Sequence, residues 1–274
     1  MAEALRGPEE WVPLTLENRK KISPDTFLFR FKLPSPDHIL GLPVGQNIQV
    51  RSGHKVNGED VIRAYTPVSS NDDKGFMDLL IKVYFKNVHP NFPDGGVMSQ
   101  FIHGLRVGTT LDVRGPTGRL LYYGQGKFST RPDKITDYSQ PIAVAKVNMI
   151  AGGSGITPML QIVRAILKDT SDLTSIALLF ANKSTDDILC REELEEIRDK
   201  WPHRVKLWFT LDSPPSEGWK YGSGFITAEM IKSQLFPPSD NTITLMCGPP
   251  PMIQYACNPN LDKLGYPAER RHAY

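Results

Sequence analysis

The sequence predicts two domains, an antiparallel β-barrel followed by an α/β domain with a doubly wound parallel sheet. Short β-prone runs separated by turn clusters fill the chain as far as Tyr123, a spacing typical of an antiparallel barrel or sandwich. From Val147 onward, apolar strand-like runs alternate with helical patterns, which indicates parallel strands joined by right-handed crossovers. We therefore expect the barrel over 11–123, a polar interdomain linker over 124–146 and the α/β domain over 147–274.

The first domain is predicted to contain one helix among its strands. The helix is expected over Ser99–Gly104, after the glycine pair Gly95-Gly96, with Ser99 as a suitable N-cap. Clusters such as Asn57-Gly58 mark the turns between strands. The predicted strands are Thr26–Leu33, Gln46–Arg51, Phe76–Phe85, Leu111–Arg114 and Leu120–Tyr123.

The second domain is predicted from the alternation of two hydrophobic periods. Its helices show apolar residues at helical spacing, whereas its strands are short continuous apolar runs. The expected strands are Met149–Ala151, Ser175–Ala181, Val205–Thr210 and Thr242–Cys247, and the expected helices are Met159–Lys168, Arg191–Lys200, a segment near Thr227–Leu235 and one beginning around Pro250–Met252.

The glycine-rich segment at 152–155 joins the first of these strands to its helix. Thr157 suits the N-cap and Pro158 the first helical position, where a missing N–H costs nothing. Glycines let phosphates approach the backbone, and free N–H groups at a helix start favour an anion. Pro158 stands where the third glycine of the G-x-G-x-x-G fingerprint is expected, so a nucleotide site and a simple tight turn both remain open.

Two further patterns in the first domain could bind a ligand. In RAYTPVS (63–69), alternation places Arg63, Tyr65 and Pro67 on one side of a strand, so that a tyrosine ring could pack on a flat cofactor beside an arginine that pairs with phosphate. In GGVMS (95–99), a glycine pair precedes a short helix. Taken alone, each pattern favours the simpler interpretation, an exposed strand and a capped helix.

The α/β domain carries two more candidates. Cys247 and Gly248 of CGPPPM (247–252) end an apolar strand, and ligands of open α/β sheets bind outside the carboxyl ends of strands. Asp212 follows another strand and is either a turn residue or the acceptor for the ribose hydroxyls of a dinucleotide. Cys190 and Cys257 have no such context and are interpreted as structural.

Composition excludes several function classes. The 274 residues have a formal net charge of +2, which argues against a dedicated nucleic-acid binder. There is no apolar run of about 18 residues and no signal-peptide pattern, and three cysteines without a CxxC indicate neither a disulfide framework nor a zinc site. No histidine has a ligand-spaced partner and no hydrolase motif is present, so no metal is expected. We expect a cytoplasmic protein.

The four motifs in this order resemble those of the flavin–pyridine nucleotide oxidoreductases of the ferredoxin-reductase superfamily. More narrowly, the chain resembles the NADH–cytochrome b5 reductase family over nearly everything from about Leu14 to Leu264. The matching stretches include LPSPDHILGLPVGQ (33–46), IKVYFKNVHP (81–90), LLFANKSTDDIL (178–189) and MCGPPPMIQYAC (246–257). The resemblance implies an enzyme of ferredoxin reductase-like fold in which the barrel binds FAD and the α/β domain binds NADH.

The resemblance also implies roles for individual residues. Arg63 would bind the FAD pyrophosphate, and Asp212 would set the preference for NADH over NADPH. Cys247 would sit beside the nicotinamide, Lys82 would help to hold NADH, and Thr66 would lie by the flavin ring. The other residues implied in cofactor binding are Ala64, Tyr65, Leu80, Phe85, Val97, Met98 and Ser99 for FAD, Thr157 for the flavin from the second domain, and Gly152, Gly153, Ser154, Gly155, Gly248, Pro249 and Met252 for the dinucleotide.

The same resemblance implies hydride transfer from NADH to FAD, followed by single-electron transfer to cytochrome b5 or a similar haem protein, by a monomer. Three positions depart from the family pattern: Val97 replaces Lys, Asn47 replaces His or Tyr, and Ser154 replaces Thr. The anchoring N-terminus usual in the family is missing from this sequence, so we expect either a soluble isoform or a sequence from which that anchor has been removed, with attachment to the cytosolic face of a membrane left open. The flavin fragment of a nitrate reductase and a non-catalytic flavin-binding module are the alternatives.

Overall fold

The computed structural model describes residues 2–88, 90, 92–133 and 136–274 and divides into two compact units, Met1–Gly118 and Arg119–Tyr274. In the first unit, six strands form one antiparallel sheet, and one helix, α1, spans Val97–Gly104. The strands are β1 (Gly7–Lys21), β2 (Thr26–Lys32), β3 (Asn47–Val56), β4 (Glu59–Tyr65), β5 (Phe76–Lys82) and β6 (Thr110–Thr117). Their order is β4-β3-β6-β1-β2-β5, so the sheet is a half-barrel with β4 and β5 as its outer strands.

Alternation along each strand builds the core of this unit. In β2, Phe27, Phe29 and Phe31 point into the core, whereas Arg30 between them points outward and pairs with Asp78 of β5 at 2.7 Å. Such alternation is what a sheet with one buried face requires.

Several predicted boundaries in the first unit are wrong. β3 runs on to Val56 and β6 to Thr117, past their predicted ends at Arg51 and Arg114, and α1 begins at Val97. The third predicted strand ends at Lys82 rather than Phe85, because Lys82 pairs with Thr26, the first residue of its partner strand. The N-cap of α1 is Gly96 and not Ser99, which lies inside the first turn of the helix. Gly95 has a φ of 67°, and a Cβ added there would overlap the backbone of the segment 84–86. A Cβ added at Gly96 would overlap the Ser99 hydroxyl oxygen, so the chain packs too closely at the helix start for a capping side chain.

The second unit has a six-stranded parallel sheet in the order β13-β12-β11-β10-β14-β15, with helices along its crossovers. Together with the half-barrel, this confirms the predicted fold class. The strands of this sheet are β10 (Lys146–Gly152), β11 (Ser175–Asn182), β12 (Val205–Leu211), β13 (Gly222–Ser223), β14 (Thr242–Cys247) and β15 (Arg271–Ala273). The helices are α2 (Ile156–Lys168), α3 (Arg191–Lys200), α4 (Ala228–Gln234) and α5 (Asn258–Lys263), the last preceded by a π-helical segment, Met252–Cys257.

The central strand β10 is buried along almost its whole length, as its continuous apolar run predicts. Both polar atoms of its one buried side-chain amide, Asn148, have a partner: the amide donates to the Phe236 carbonyl at 2.9 Å and accepts from the Phe236 N–H at 2.8 Å. The start of α2 differs from the prediction, because its N-cap is Gly155 and Thr157 lies in the first turn. The Thr157 hydroxyl donates to the Ser154 carbonyl at 3.2 Å, so it closes the preceding turn.

The segment expected to be a linker contributes to the second unit. A small antiparallel sheet is formed by β7 (Leu120–Tyr122), β8 (Lys127–Thr130) and β9 (Ile142–Ala143); Lys134 and Ile135 of the expected linker lie outside the described residues. The buried Asp172 carboxylate accepts the Tyr122 hydroxyl, the Gln125 N–H at 2.9 Å and the Thr174 N–H at 3.0 Å. This network connects Tyr122 and Gln125 to the segment that precedes β11, within the unit that begins at Arg119.

No helix among the described residues combines the length and apolar character needed to cross a membrane. Within the same residues, no group of three or more His, Cys, Asp or Glu side chains is placed to bind a metal ion.

Candidate functional site

The strand order of the parallel sheet locates a candidate site in the second unit. The chain leaves β10 towards β11 on one side, while β14 pairs with β10 on the other, so the order reverses between β10 and β14. Open α/β sheets bind ligands outside the carboxyl ends of the strands at such a point. The segment Gly152–Gly155 follows β10, and Cys247 ends β14 with Ala151 opposite it in register. Topology thus brings together two of the predicted motifs.

Glycines allow the two loops at this point to touch. A Cβ added at Gly155 would overlap the Cys247 carbonyl oxygen, and one added at Gly152 would lie 3.0 Å from Pro249 Cδ. Gly153 has a φ of 53°, and an added Cβ there would meet nothing within 4 Å. The turn is therefore packed on the side of β14 and open at Gly153. The absence of side chains lets a ligand approach the backbone there.

Cys247 is a half-buried free thiol at the rim of this site. Burial raises the pKa of the Cys247 thiol to about 12, so the thiol is neutral near pH 7. On the neighbouring strand, the Tyr274 N–H donates to the Met246 carbonyl at 3.0 Å, one residue beyond the pair Met246–Ala273. The parallel register continues to Cys247 and Tyr274, whose side chains therefore lie on one face of the sheet. Burial, followed by the nearby Cys247, raises the pKa of the Tyr274 phenol.

Asp212 lies at the same edge of the sheet, beyond the end of β12. Its backbone N–H donates to the Asn182 carbonyl at 3.1 Å, and the next N–H, of Ser213, donates to the Lys183 carbonyl at 2.8 Å. The Asp212 side chain is exposed, as a ligand-facing carboxylate would have to be. The Asn182 side chain is only 7% exposed, and neither of its amide atoms has a hydrogen-bond partner among the described residues.

In the first unit, the RAYTPVS residues lie at the end of β4. Arg63 and Ala64 are exposed, and the Arg63 guanidinium donates to the Ile62 carbonyl at 2.8 Å. Tyr65 packs against the core of the half-barrel, and burial raises the pKa of its phenol, so that the hydroxyl stays protonated. Thr66 is buried. An exposed guanidinium beside a held tyrosine ring is a suitable pair for a diphosphate and an aromatic ring.

Strand β5 presents Leu80 and Lys82 on the face opposite to the core. Lys82 is not a free cation: its Nζ lies 3.1 Å from Asp25 Oδ2, and its side chain is 14% exposed. Phe85 follows the strand and meets the His103 ring edge-on, with 5.3 Å between the ring centroids. Leu80 and Lys82 therefore share a surface, whereas Phe85 packs against the core of the half-barrel.

The GGVMS residues form the start of α1. Met98 is buried in the core, whereas Val97 is 41% exposed. The buried Ser99 hydroxyl accepts the Tyr84 N–H and donates to the Gly96 carbonyl, both at 3.1 Å. The hydroxyl thus holds the helix start against the 84–86 segment. The backbone N–H groups at the helix start remain the donors suited to phosphate.

Asn47, one of the departures from the family pattern, is held by the adjacent strand. Its side-chain oxygen accepts the Thr117 hydroxyl at 2.7 Å. Residue 47 therefore stabilises the end of the pairing between β3 and β6, where Asn47 and Thr117 are register partners.

The residues of both units fit the cofactors that the motifs imply. In the second unit, the turn is open above Gly153, and the buried Asn182 amide nearby has no hydrogen-bond partner in the part of the chain that the structure describes. In the first unit, an exposed arginine and a partly buried tyrosine end β4, and the glycine pair leaves no side chain over the start of α1.

Sequence reasoning missed Tyr274 and Asn182 as neighbours of the site. Asn182 reaches the Asp212 loop through the pairing of β11 with β12, and Tyr274 reaches Cys247 through the pairing of β14 with β15. Both placements depend on strand neighbours distant in sequence. The position of Asn182 at the end of an apolar run was the one local signal for it.

Comparison with known proteins agrees with this architecture. The profile of the family described as oxidoreductase FAD-binding domain matches residues 13–122, and that described as oxidoreductase NAD-binding domain matches residues 149–258. The cytochrome b5 reductase domain of Ulva prolifera nitrate reductase has a similar structure, with a TM-score of 0.88, 43% identity and full coverage of both chains. The flavohaem-like FAD/NAD-binding domain of a Vibrio cholerae nitric oxide dioxygenase shares the fold, with a TM-score of 0.69 at 18% identity, over 96% of this chain and 97% of that one.

Curated relatives match over nearly the whole chain. NADH-cytochrome b5 reductase 2 of Xenopus laevis is 57% identical over 98% of this chain and 90% of its own length. The human protein of the same name is 54% identical over 98% of this chain and 96% of its own length. The resemblance predicted from the motifs is thereby confirmed. The chain is an oxidoreductase with an FAD-binding and an NAD-binding domain, and it belongs to the NADH–cytochrome b5 reductase family.

Proposed function

We propose that this chain takes a hydride from NADH and passes electrons singly to cytochrome b5 or a similar haem protein. The observation that carries the proposal is the packing of the glycine turn against the end of β14 at the point where the strand order reverses. The names and full-length similarity of the curated relatives support cytochrome b5 as the acceptor.

In the first unit, the proposed FAD contacts follow the family motif. Arg63, exposed at the end of β4, binds the pyrophosphate, and the Tyr65 ring packs on the cofactor with Ala64 and Thr66 beside it. Leu80, Lys82 and Phe85 line the flavin site, and Asp25 orients the Lys82 ammonium. The backbone N–H groups of Val97, Met98 and Ser99 receive phosphate.

In the second unit, the proposed dinucleotide contacts lie along the edge of the parallel sheet. The backbone of Gly152–Gly155 forms the floor of the site, and Cys247 with Gly248, Pro249 and Met252 lies by the nicotinamide. Asp212 accepts from the adenine ribose hydroxyls and repels a 2′-phosphate. Thr157 closes the glycine turn through its bond to the Ser154 carbonyl, and its proposed contact with the flavin is a further role.

The chemistry that bound FAD supplies is acceptance of two electrons as a hydride and their release one at a time. The protein residues orient the reactants and need not transfer protons in the hydride step. Cys247 is a positioning residue and not a nucleophile, because burial raises the pKa of its thiol to about 12.

We further propose a cytoplasmic monomer. Three free cysteines in the structure are consistent with a reducing compartment. Sedimentation of the purified protein at several concentrations tests the monomer, and fractionation of cells tests the compartment.

The direct test is steady-state oxidation of NADH by the flavin-loaded protein, with cytochrome b5 and with ferricyanide as acceptors. We expect turnover with both acceptors and a much lower kcat/KM with NADPH. Turnover with ferricyanide but none with cytochrome b5 would refute the proposal that cytochrome b5 is the electron acceptor. A kcat/KM with NADPH equal to or higher than that with NADH would refute the role of Asp212. The variant Asp212→Asn should reduce the ratio of the kcat/KM values for NADH and NADPH.

A further inference from the structure

The Met252 side chain lies against both loops at the carboxyl ends of β10 and β14. A Cβ added at Gly152 would lie 2.6 Å from Met252 Sδ and 3.0 Å from its Cε, and a Cβ added at Gly248 would lie 2.5 Å from the same Cε. Two glycines from different loops therefore make room for one thioether. The resemblance to the family places Met252 beside the nicotinamide but does not assign it this contact.

The backbone around Met252 directs its side chain to this place. Met252 begins the π-helical segment Met252–Cys257, and its N–H donates to the Pro249 carbonyl at 2.9 Å. π-Helical turns are rare and occur frequently at functional sites. The side chain also packs against the buried core cluster on which the sheet rests. One end of Met252 is thus held by the core, and the other end fills the space between the two glycines.

Gly248 and Gly152 are also close to each other. A Cβ at Gly248 would lie 3.1 Å from the Gly152 N and 3.2 Å from its Cα. The sulfur and its methyl group thus lie where these two backbones approach each other, just past the last paired residues of β10 and β14, Ala151 and Cys247. Methionine suits this position because it is unbranched, flexible and polarisable.

We propose that Met252 is a positioning residue that fixes the distance between the glycine turn and the loop after Cys247. The inference rests on the proposed function, in which the nicotinamide lies by these two loops. Met252 acts through Gly152 and Gly248, whose backbones line the site, so its loss should misplace the bound dinucleotide more than it weakens binding. A misplacement of about 1 Å can cost about 100-fold in rate.

The test uses the FAD-loaded full chain and compares Met252→Ala with Met230→Ala. Met230 is a matched control, because it packs against the same core cluster and its Cε would lie 3.1 Å from a Cβ added at another glycine, Gly222. We expect Met252→Ala to slow flavin bleaching by NADH at least about tenfold in rapid mixing. We expect the Kd of NAD⁺, measured by calorimetry, to change less than about threefold, and Met230→Ala to leave the bleaching rate within about twofold.

A second measurement does not depend on activity. Gly248→Ala alone should lower the thermal midpoint by about 4 °C, because its Cβ collides with the thioether. In the double variant Gly248→Ala/Met252→Ala, the collision with the thioether is gone and only the close approach to the Gly152 backbone remains. The loss of thermal midpoint in the double variant should therefore be smaller than the sum of the two single losses. Met252→Leu keeps the side-chain volume but lacks the reach of Cε, and it should give an intermediate bleaching rate if Met252→Ala does not fold.

The outcomes separate this inference from the proposed function. Wild-type protein that NADH does not bleach would refute the proposed function. Wild-type protein that is bleached, with Met252→Ala no slower than Met230→Ala or with strictly additive midpoint shifts, would overturn the role of Met252 alone.

Discussion

At the scale of single residues, the state of Cys247 limits what the site can do. Cys247 is half-buried, burial raises the pKa of its thiol to about 12, and Tyr274 lies near it, one residue past the end of β15. A neutral thiol at the rim of a dinucleotide site can pack against a ring but is a poor nucleophile. Under the proposed function, shape and not ionisation is therefore the property by which Cys247 would contribute to hydride transfer.

Replacement of Cys247 tests this interpretation. Cys247→Ala should slow flavin reduction by NADH about tenfold through looser packing of the nicotinamide, with little change in FAD content. Cys257→Ala serves as the control for loss of a thiol away from the site, since Cys257 is fully buried in the core. An unchanged rapid-mixing rate in Cys247→Ala would contradict a positioning role.

His272 makes stability depend on acid pH. Burial, with a smaller contribution from Arg119, lowers the pKa of the His272 imidazole from 6.5 to about 4 in the folded protein. Between pH 6.5 and 4 the unfolded chain binds a proton that the folded chain excludes. Stability contributed by neutral His272 is thus intact above pH 6.5 and declines as pH falls, by up to about 3 kcal/mol. Denaturant unfolding at pH 7 and 4.5 should show a smaller pH effect in His272→Gln than in the wild type, and identical pH effects would contradict this.

At the scale of elements, hydrogen bonds to the buried Asp172 carboxylate hold the small sheet β7-β8-β9 against the segment before β11. Asp172 is fully buried and accepts bonds from one side chain and two backbone N–H groups. Buried charges persist only when they are hydrogen-bonded in this way. The network explains how Tyr122 and Gln125, in a part of the chain with little helical or strand periodicity, are held against the segment that precedes β11.

Tyr122→Phe removes one of these donors. We expect it to lower the free energy of unfolding by about 1–3 kcal/mol, because the carboxylate loses a partner without regaining water. The neighbouring Tyr123 is exposed, so Tyr123→Phe is a matched control and should have almost no effect. Chemical denaturation measures the free energy of unfolding of both variants. Equal values for the two would show that the Tyr122 hydroxyl contributes nothing to stability.

At the scale of the whole molecule, each unit is predicted to bind its own cofactor. Hydrogen exchange measured by mass spectrometry should show FAD, added to flavin-free protein, protecting 63–66 and 95–100. NAD⁺, added to the FAD-loaded protein, should protect 152–155 and 247–252, since ligands stabilise the state that binds them. Protection of the same peptides by both ligands, or of neither set, would contradict the assignment of one cofactor to each unit.

Much of this architecture could be predicted from sequence, because it depends on local periodicity. The apolar runs of β10 and β14 and the helical spacing after Pro158 indicate their elements directly. The N-caps at Gly96 and Gly155 could not be predicted from the hydroxyls of Ser99 and Thr157, since close packing of neighbouring segments selects glycine there. The contacts of Met252 and Tyr274 depend on strand order, which no local pattern encodes.

The Asp172 network has a practical consequence for dissecting the protein. A fragment that starts at Val147, where the alternating pattern begins, would lack the Tyr122 hydroxyl and the Gln125 N–H and would leave Asp172 with only the Thr174 N–H among these three donors. A fragment that starts at Arg119 retains all of them, together with the bond from the Arg119 guanidinium to the Ala273 carbonyl at 2.7 Å. Anyone who expresses the NADH-binding portion separately should therefore cut the gene before codon 119, well upstream of the glycine-rich segment at 152–155.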